Sequence, residues 1–405
     1  MTVGTFPRMV AVVGGCGHVG LPLALTFADQ GFQTVIFDIN KASVEGVRAG
    51  RMPFREDGAD EMLTRVLEKK TLTVCHEPEL ISECKFLVLI VGTPVDEHLN
   101  PTFTAIHRAI DHCAPFLRDG QIMILRSTVY PGITEHIEVY LKNKGLNIGV
   151  AFCPERVAQG FSLREFRELP QIISASSPNV VAEVRTLFEP FVSEMIEMPP
   201  MEAELSKLMT NAWRYIQFAT VNQFYMIASQ HGLDFNRILY GCRHNYPRMK
   251  GMPGPGFAAG PCLVKDTMQL AAFSQNNFVL GHAAMLINEG LPAHMIQMAK
   301  QDIDLRSSTA AILGMTFKAD CDDIRDSLSY KLRKLLSLEC KKVMCHDPFV
   351  PGGEDSSLEN VLAQADVLFV GTPHSMYRKL VVPDRCLVVD VWNVLAPREN
   401  AEKSS

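Results

Sequence analysis

Cys262 lies in the segment Gly254-Pro255-Gly256-Phe257-Ala258-Ala259-Gly260-Pro261-Cys262-Leu263-Val264-Lys265-Asp266, a Gly/Pro-rich loop that runs into helical spacing over 264–273. A thiol at a helix N-terminus has its pKa lowered, and a nearby lysine adds to that, so the loop predicts a reactive thiolate. Thiolate is both a nucleophile and a good leaving group, which suits covalent catalysis. The other ten of the eleven cysteines lack this setting. None is spaced Cys-x-x-Cys or grouped with histidine at zinc-finger spacing, and they are expected to be small buried hydrophobes in a reducing cytosol.

A second constellation stands near the start. Gly15, Gly17 and Gly20 form G-x-G-x-x-G between an apolar run at 9–13 and helical spacing over 21–29. The first glycine permits a tight turn, the second lets backbone approach a pyrophosphate, and the third allows close helix–strand packing. The helix N-terminus then offers N–H groups to the anion. Asp38 ends the next apolar run, where a carboxylate accepts hydrogen bonds from a ribose diol and repels a 2′-phosphate. NAD is therefore expected rather than NADP. Lys207 and Asn211, four residues apart, share one face of a predicted helix, although two polar groups at that spacing also fit a solvated face.

The elements that must position these groups follow from hydrophobic period. Short apolar runs at 9–13, 33–38, 86–91, 121–126, 149–152 and 171–174 alternate with helical stretches. That alternation predicts a parallel sheet covered by helices, its strands buried on both faces. Pro199 and Pro200 then punctuate the chain, and a 3.6 period begins at Met201 and reaches about Gln230. A second α/β pattern follows, with strands at 309–313, 342–345, 365–370 and 386–391 and a polar end at 398–405. The expected fold is α/β, two Rossmann-like doubly wound domains (1–200 and 304–405) flanking a central all-α domain (201–303), with the active site in the cleft between them. The long middle helix predicts a homodimer.

Together these features resemble the nucleotide-sugar 6-dehydrogenases, which include UDP-glucose, GDP-mannose and UDP-N-acetylhexosamine dehydrogenases. The loop around Cys262 is similar to their nucleophile loop. Gly92-Thr93-Pro94, Ser127-Thr128-Val129-Tyr130-Pro131-Gly132, Pro154-Glu155-Arg156, Ala203-Glu204-Leu205-Ser206-Lys207 with Asn211, and Phe317-Lys318 through Asp322-Asp323-Ile324-Arg325 fall in the family's order along nearly the whole chain. The resemblance implies a four-electron oxidation of a primary alcohol to a carboxylate with two NAD used in succession, by way of a thiohemiacetal and a thioester on Cys262. It also implies that Lys207 and Asn211 stabilise the developing oxyanion and position a water, that Thr128 and Asp266 orient water, and that Glu155 serves proton transfer or hydrolysis. His18, Val19, Thr93, Thr128 and Arg325 are implied for the cofactor. Glu155, Arg156, Lys207, Asn211, Arg248, Gly256 and Lys318 are implied for the substrate, a UDP-sugar rather than a GDP-sugar.

Three departures stand out. Ala258 and Ala259 occupy a stretch where the family carries glycines, which narrows the approach to a sugar. Gln159 replaces a second carboxylate found in some members, and Pro154-Glu155-Arg156 resembles the N-acetylhexosamine branch. A two-electron β-hydroxyacid dehydrogenase and a catalytically silent nucleotide-binding protein remain the alternatives; the first would need neither Cys262 nor the last α/β segment. The formal charge of −6 argues against a nucleic-acid binder. Runs such as 86–91 are too short to span a bilayer, and 9–14 runs into a glycine turn rather than a cleavage site, so a cytoplasmic protein is expected. No metal is expected.

Overall fold

A computed structural model describes residues 6, 8–93, 95–96, 102–350 and 357–395. Pro94 of the Gly92-Thr93-Pro94 motif and the polar end 398–405 lie outside the described residues. The chain forms two compact units, Met1–Thr210 with Ala272–Gln275, and Asn211–Ala271 with Asn276–Ser405.

The first unit is built on an eight-stranded sheet of β1 (Arg8–Val13), β2 (Thr34–Phe37), β3 (Leu72–Cys75), β4 (Cys84–Leu89), β5 (Ile122–Leu125), β6 (Gly149–Phe152), β7 (Gln171–Ala175) and β8 (Met195–Glu197). Its order is β3-β2-β1-β4-β5-β6-β7-β8, parallel except where β6 meets β7. Strand β1 pairs with β2 on one side (Val10 with Thr34) and with β4 on the other (Val10 with Phe86), so the strand order reverses at its carboxyl end. Ligands of open α/β sheets bind at such a switch point. Val10, Ala11 and Val12 are fully buried, as a strand covered on both faces requires. The Gly20–Asp29 helix is buried between the sheet and neighbouring helices through Leu21, Leu23, Leu25 and Phe27, each contributing roughly 1.5–3 kcal/mol by burial.

The second unit carries a four-stranded parallel sheet of β9 (Thr309–Leu313), β10 (Lys342–His346), β11 (Val367–Val370) and β12 (Leu387–Val389) in the order β10-β9-β11-β12. Its helices include Leu263–Phe273, Val279–Ala299 and Leu328–Glu339. The expected long helix runs from Pro200 to Gln230, 31 residues, and the division between the units falls inside it, between Thr210 and Asn211. The parallel sheets and the helical middle agree with expectation. Strands β3 and β8 had no counterpart in the sequence pattern.

Candidate active site

The loop before the Leu263–Phe273 helix is held by backbone packing. Gly260 has φ +97, and a side chain there would strike the Phe317 ring at 2.6 Å. Its N–H donates to the Asp326 carbonyl at 3.2 Å. Gly256, at φ +147, lies so close to Trp392 that a Cβ would enter the indole. Its N–H and C=O are both bonded by the Asn222 amide, at 2.9 Å each. Asn222 and its neighbour Asn288 (2.9 Å) are fully buried, and Asn288 donates to Tyr215 O at 3.1 Å. A satisfied buried amide network of this kind fixes a loop. It delivers Cys262 exposed at the helix N-terminus, whereas eight of the other cysteines are buried and two partly so.

Lys265, near the thiol in sequence, is ion-paired with Asp266 at 2.5 Å. Arg325 is coupled electrostatically to Cys262. Its pKa is raised first by hydrogen bonds to Asp323, against its burial, and in smaller part by the charge of Cys262. Asp266 is fully buried, and its second oxygen accepts from Asn211 Nδ2 at 2.5 Å. Asp266 therefore orients the Asn211 amide. Lys207 and Asn211 sit one turn apart on the long helix, and both are buried (8 % and 5 % exposed), which excludes a solvated face.

In the first unit, Gly15, Gly17 and Gly20 form the turn between β1 and its helix. A Cβ on Gly15 would meet Val12 O, and one on Gly20 would meet Gly15 Cα, both at 2.7 Å; at the exposed Gly17 it would meet only Gly14 O at 3.9 Å. The turn thus packs inward at its ends and opens outward at Gly17. Val19 caps the helix without a side-chain acceptor, and the first turn holds no acidic residue, which suits an anionic ligand. The Asp38 carboxylate follows β2 and accepts the Cys16 and Asn40 N–H groups at 2.9 Å each. The residues present fit a dinucleotide. His18 stacks on Phe54 with centroids 4.1 Å apart. Thr93 donates to the Thr128 carbonyl at 2.7 Å, joining the chain ends that follow β4 and β5.

Glu155 is engaged on both oxygens. Oε1 accepts the N–H groups of Arg156 (2.7 Å) and Val157 (2.9 Å), and Oε2 accepts Arg126 Nη2 at 2.5 Å. Arg126 is wholly buried and donates also to Cys153 O (2.9 Å) and Gln171 Oε1 (2.7 Å). Sequence reasoning missed Arg126, because its only signal was a lone cation ending an apolar strand. The Arg156 guanidinium is turned to the Pro170 carbonyl, and burial lowers its pKa. Arg248 is exposed on the Pro247–Met249 turn, with Nη1 3.2 Å from the Tyr246 hydroxyl. Lys318 and Arg325 share the loop after β9, where Arg325 forms a fork on Asp323 (2.6 Å and 3.0 Å). Among the described residues no three His, Cys, Asp or Glu are grouped to hold a metal, and no helix is long and apolar enough to cross a membrane.

Three domain profiles of the UDP-glucose/GDP-mannose dehydrogenase family match the chain: the NAD binding domain over 8–192, the central domain over 201–290 and the UDP binding domain over 311–397. The chain is 30% identical to UDP-N-acetyl-D-mannosamine dehydrogenase of Pyrococcus horikoshii over 384 residues, covering 92% of this chain and 91% of that one. It is 28% identical to NDP-N-acetyl-D-galactosaminuronic acid dehydrogenase of Ralstonia solanacearum, covering 92% of each. The solved structure of UDP-D-ManNAc dehydrogenase from Pyrococcus horikoshii matches with a TM-score of 0.90 at 27% identity, covering 97% of both chains. An NAD binding domain and a UDP binding domain on one chain leave no place for the simpler hydroxyacid alternative. The chain belongs to the UDP-glucose/GDP-mannose dehydrogenase family, NAD-dependent oxidoreductases of nucleotide sugars.

Proposed function

We propose that the chain oxidises the C6 hydroxymethyl group of a UDP-N-acetylhexosamine to the carboxylate through covalent catalysis by Cys262. The observation that carries this reading is the exposure of Cys262 at a helix N-terminus beside Arg325, unlike any other cysteine of the chain. Relatives named for N-acetylated mannosamine, galactosaminuronic acid and glucosamine substrates support the sugar class. NAD bound at the glycine turn would accept the hydride that leaves C6 in each of two successive oxidations, one NAD for each.

Loss of that hydride and of the hydroxyl proton converts the alcohol to an aldehyde. The Cys262 thiolate adds to the aldehyde carbon, and Lys207 with Asn211 stabilises the oxyanion that forms. Loss of a second hydride from this thiohemiacetal leaves a thioester. Water oriented by Thr128 and by the Asn211 amide that Asp266 holds attacks the thioester, the thiolate departs, and the carboxylate and a proton are released. Glu155, held in place by Arg126, orients the water or takes its proton.

His18, Val19, Thr93, Thr128, Asp38 and Arg325 hold the cofactor in this proposal. Arg156, Arg248, Gly256 and Lys318 serve the nucleotide sugar, Arg248 from its exposed turn and Gly256 through the backbone geometry of the loop. Segments 1–200, 201–303 and 304–405 act as the NAD, central and nucleotide-sugar domains of a cytoplasmic homodimer. Cys262→Ser tests the covalent step: it should still bind UDP-sugar in calorimetry but make no uronic acid. Full turnover by that variant would refute the mechanism, and a monomer by light scattering at micromolar concentration would refute the dimer.

A further inference from the structure

Strands β9, β10 and β11 are parallel neighbours, so three chain segments emerge together at their carboxyl ends. They are the loop 314–327, the turn at Asp347 and the segment 371–375. The Asp347 carboxylate is buried and collects four donors. Oδ2 accepts the N–H groups of Met315 (2.5 Å) and Thr316 (3.0 Å) and lies 3.0 Å from His374 Nε2; Oδ1 accepts the Phe349 N–H at 2.8 Å. Burial pushes this carboxyl up, but the bonds from His374 and the backbone outweigh it and hold it below the ordinary range.

His374 is fully buried, and its Nδ1 accepts the Asp320 N–H at 2.9 Å. The ring hydrogen therefore belongs on Nε2, aimed at Asp347, and the imidazole is fixed in one tautomer. Asp320 is stapled again from outside, where Oδ1 accepts the Ser375 N–H (2.9 Å) and hydroxyl (3.0 Å). The far side of the same loop reaches the nucleophile. Asp326 O accepts the Gly260 N–H, Phe317 closes against Gly260, and Arg325 is coupled to Cys262.

We propose that Asp347 and His374 form a positioning couple that sets the 314–327 loop and, through Arg325 and Phe317, the surroundings of Cys262. The proposal rests on the assignment of Cys262 as nucleophile, but its test does not require turnover. The assay is iodoacetamide alkylation of Cys262 in the full-length protein, read by peptide mapping, with folding checked by tryptophan fluorescence. His374→Ala should slow alkylation at pH 7 by about five- to tenfold, the change expected when a unit charge drifts a few ångströms at an effective dielectric of ~20. Arg325→Gln should slow it similarly, and His374→Ala added to Arg325→Gln should slow it no further, because both act through one cation. A purely structural histidine would lower stability and leave the alkylation rate of the folded protein unchanged. If His374→Ala does not fold, His374→Asn, whose amide oxygen can still take the Asp320 N–H, and the exposed Ser375→Ala carry the same comparison. Wild-type alkylation in the folded variants, or a full His374 effect in the Arg325→Gln background, overturns the proposal. Full turnover by Cys262→Ser would instead remove the underlying functional assignment while leaving the alkylation result standing.

Discussion

Arg126→Met removes a buried guanidinium from beside a nearly buried carboxylate. The pair is 2.5 Å apart, with side chains 1 % and 11 % exposed, so solvent screens it little. Breaking one partner of a buried ion pair costs about 3–5 kcal/mol, because the other charge stays buried and uncompensated. Here the Cys153 carbonyl and Gln171 Oε1 also lose a donor. Both tryptophans, Trp213 and Trp392, fall in the second unit, so their fluorescence would not report the damage. Hydrogen exchange of the peptides spanning β5 and β6 would. A loss of about 4 kcal/mol, at 1.4 kcal/mol per decade, predicts exchange roughly a thousandfold faster there. Adding Glu155→Gln to Arg126→Met should recover about 1–2 kcal/mol, since a neutral amide needs no counter-charge. Exchange within tenfold of wild type, or a double variant less stable than the single one, would refute the reasoning.

Other consequences are equally direct. Gly256→Ala must leave a φ of +147 and push Trp392 aside, costing about 1–3 kcal/mol for overpacking; Trp392 emission should change and turnover should fall. Asp38→Asn exchanges a charged acceptor for a neutral one, so KM for NAD should rise about ten- to a hundredfold and discrimination against NADP should weaken in steady-state assays. Asp347 has its pKa lowered below 3.8 in the fold. Its contribution is therefore fully present above pH 3.8 and lost as pH falls from there through the folded pKa, so Asp347→Asn should be less stable at neutral pH and show a shallower loss of tryptophan-monitored stability below pH 4.

What the sequence made legible was local. The glycine turn, Asp38, the loop at Cys262 and the period of the long helix depend on residues close together in the chain, and each expected element appears within a few residues of its place. Strand β8 was illegible because it has only three residues, none of them buried, and leaves no apolar run. Strand β3, Leu72–Cys75, interrupts its burial at Thr73 and so lacks the continuous run of its neighbours. The supporting residues were hidden for another reason. Arg126 meets Glu155 across 29 residues, His374 meets Asp347 across 27, and Asn222 meets Asn288 across 66. Only the sheet order and the helix packing bring such pairs together. The same applies to charge: Arg325, distant in sequence, is coupled to Cys262.

The central claim is a four-electron oxidation through a Cys262 thioester. The most direct test is the NADH formed per mole of nucleotide sugar consumed, followed at 340 nm with a panel of UDP-N-acetylhexosamines. Two NADH per sugar, with a uronic acid as product and no turnover in Cys262→Ser, is the predicted result. One NADH per sugar, with an aldehyde as the final product, would contradict it.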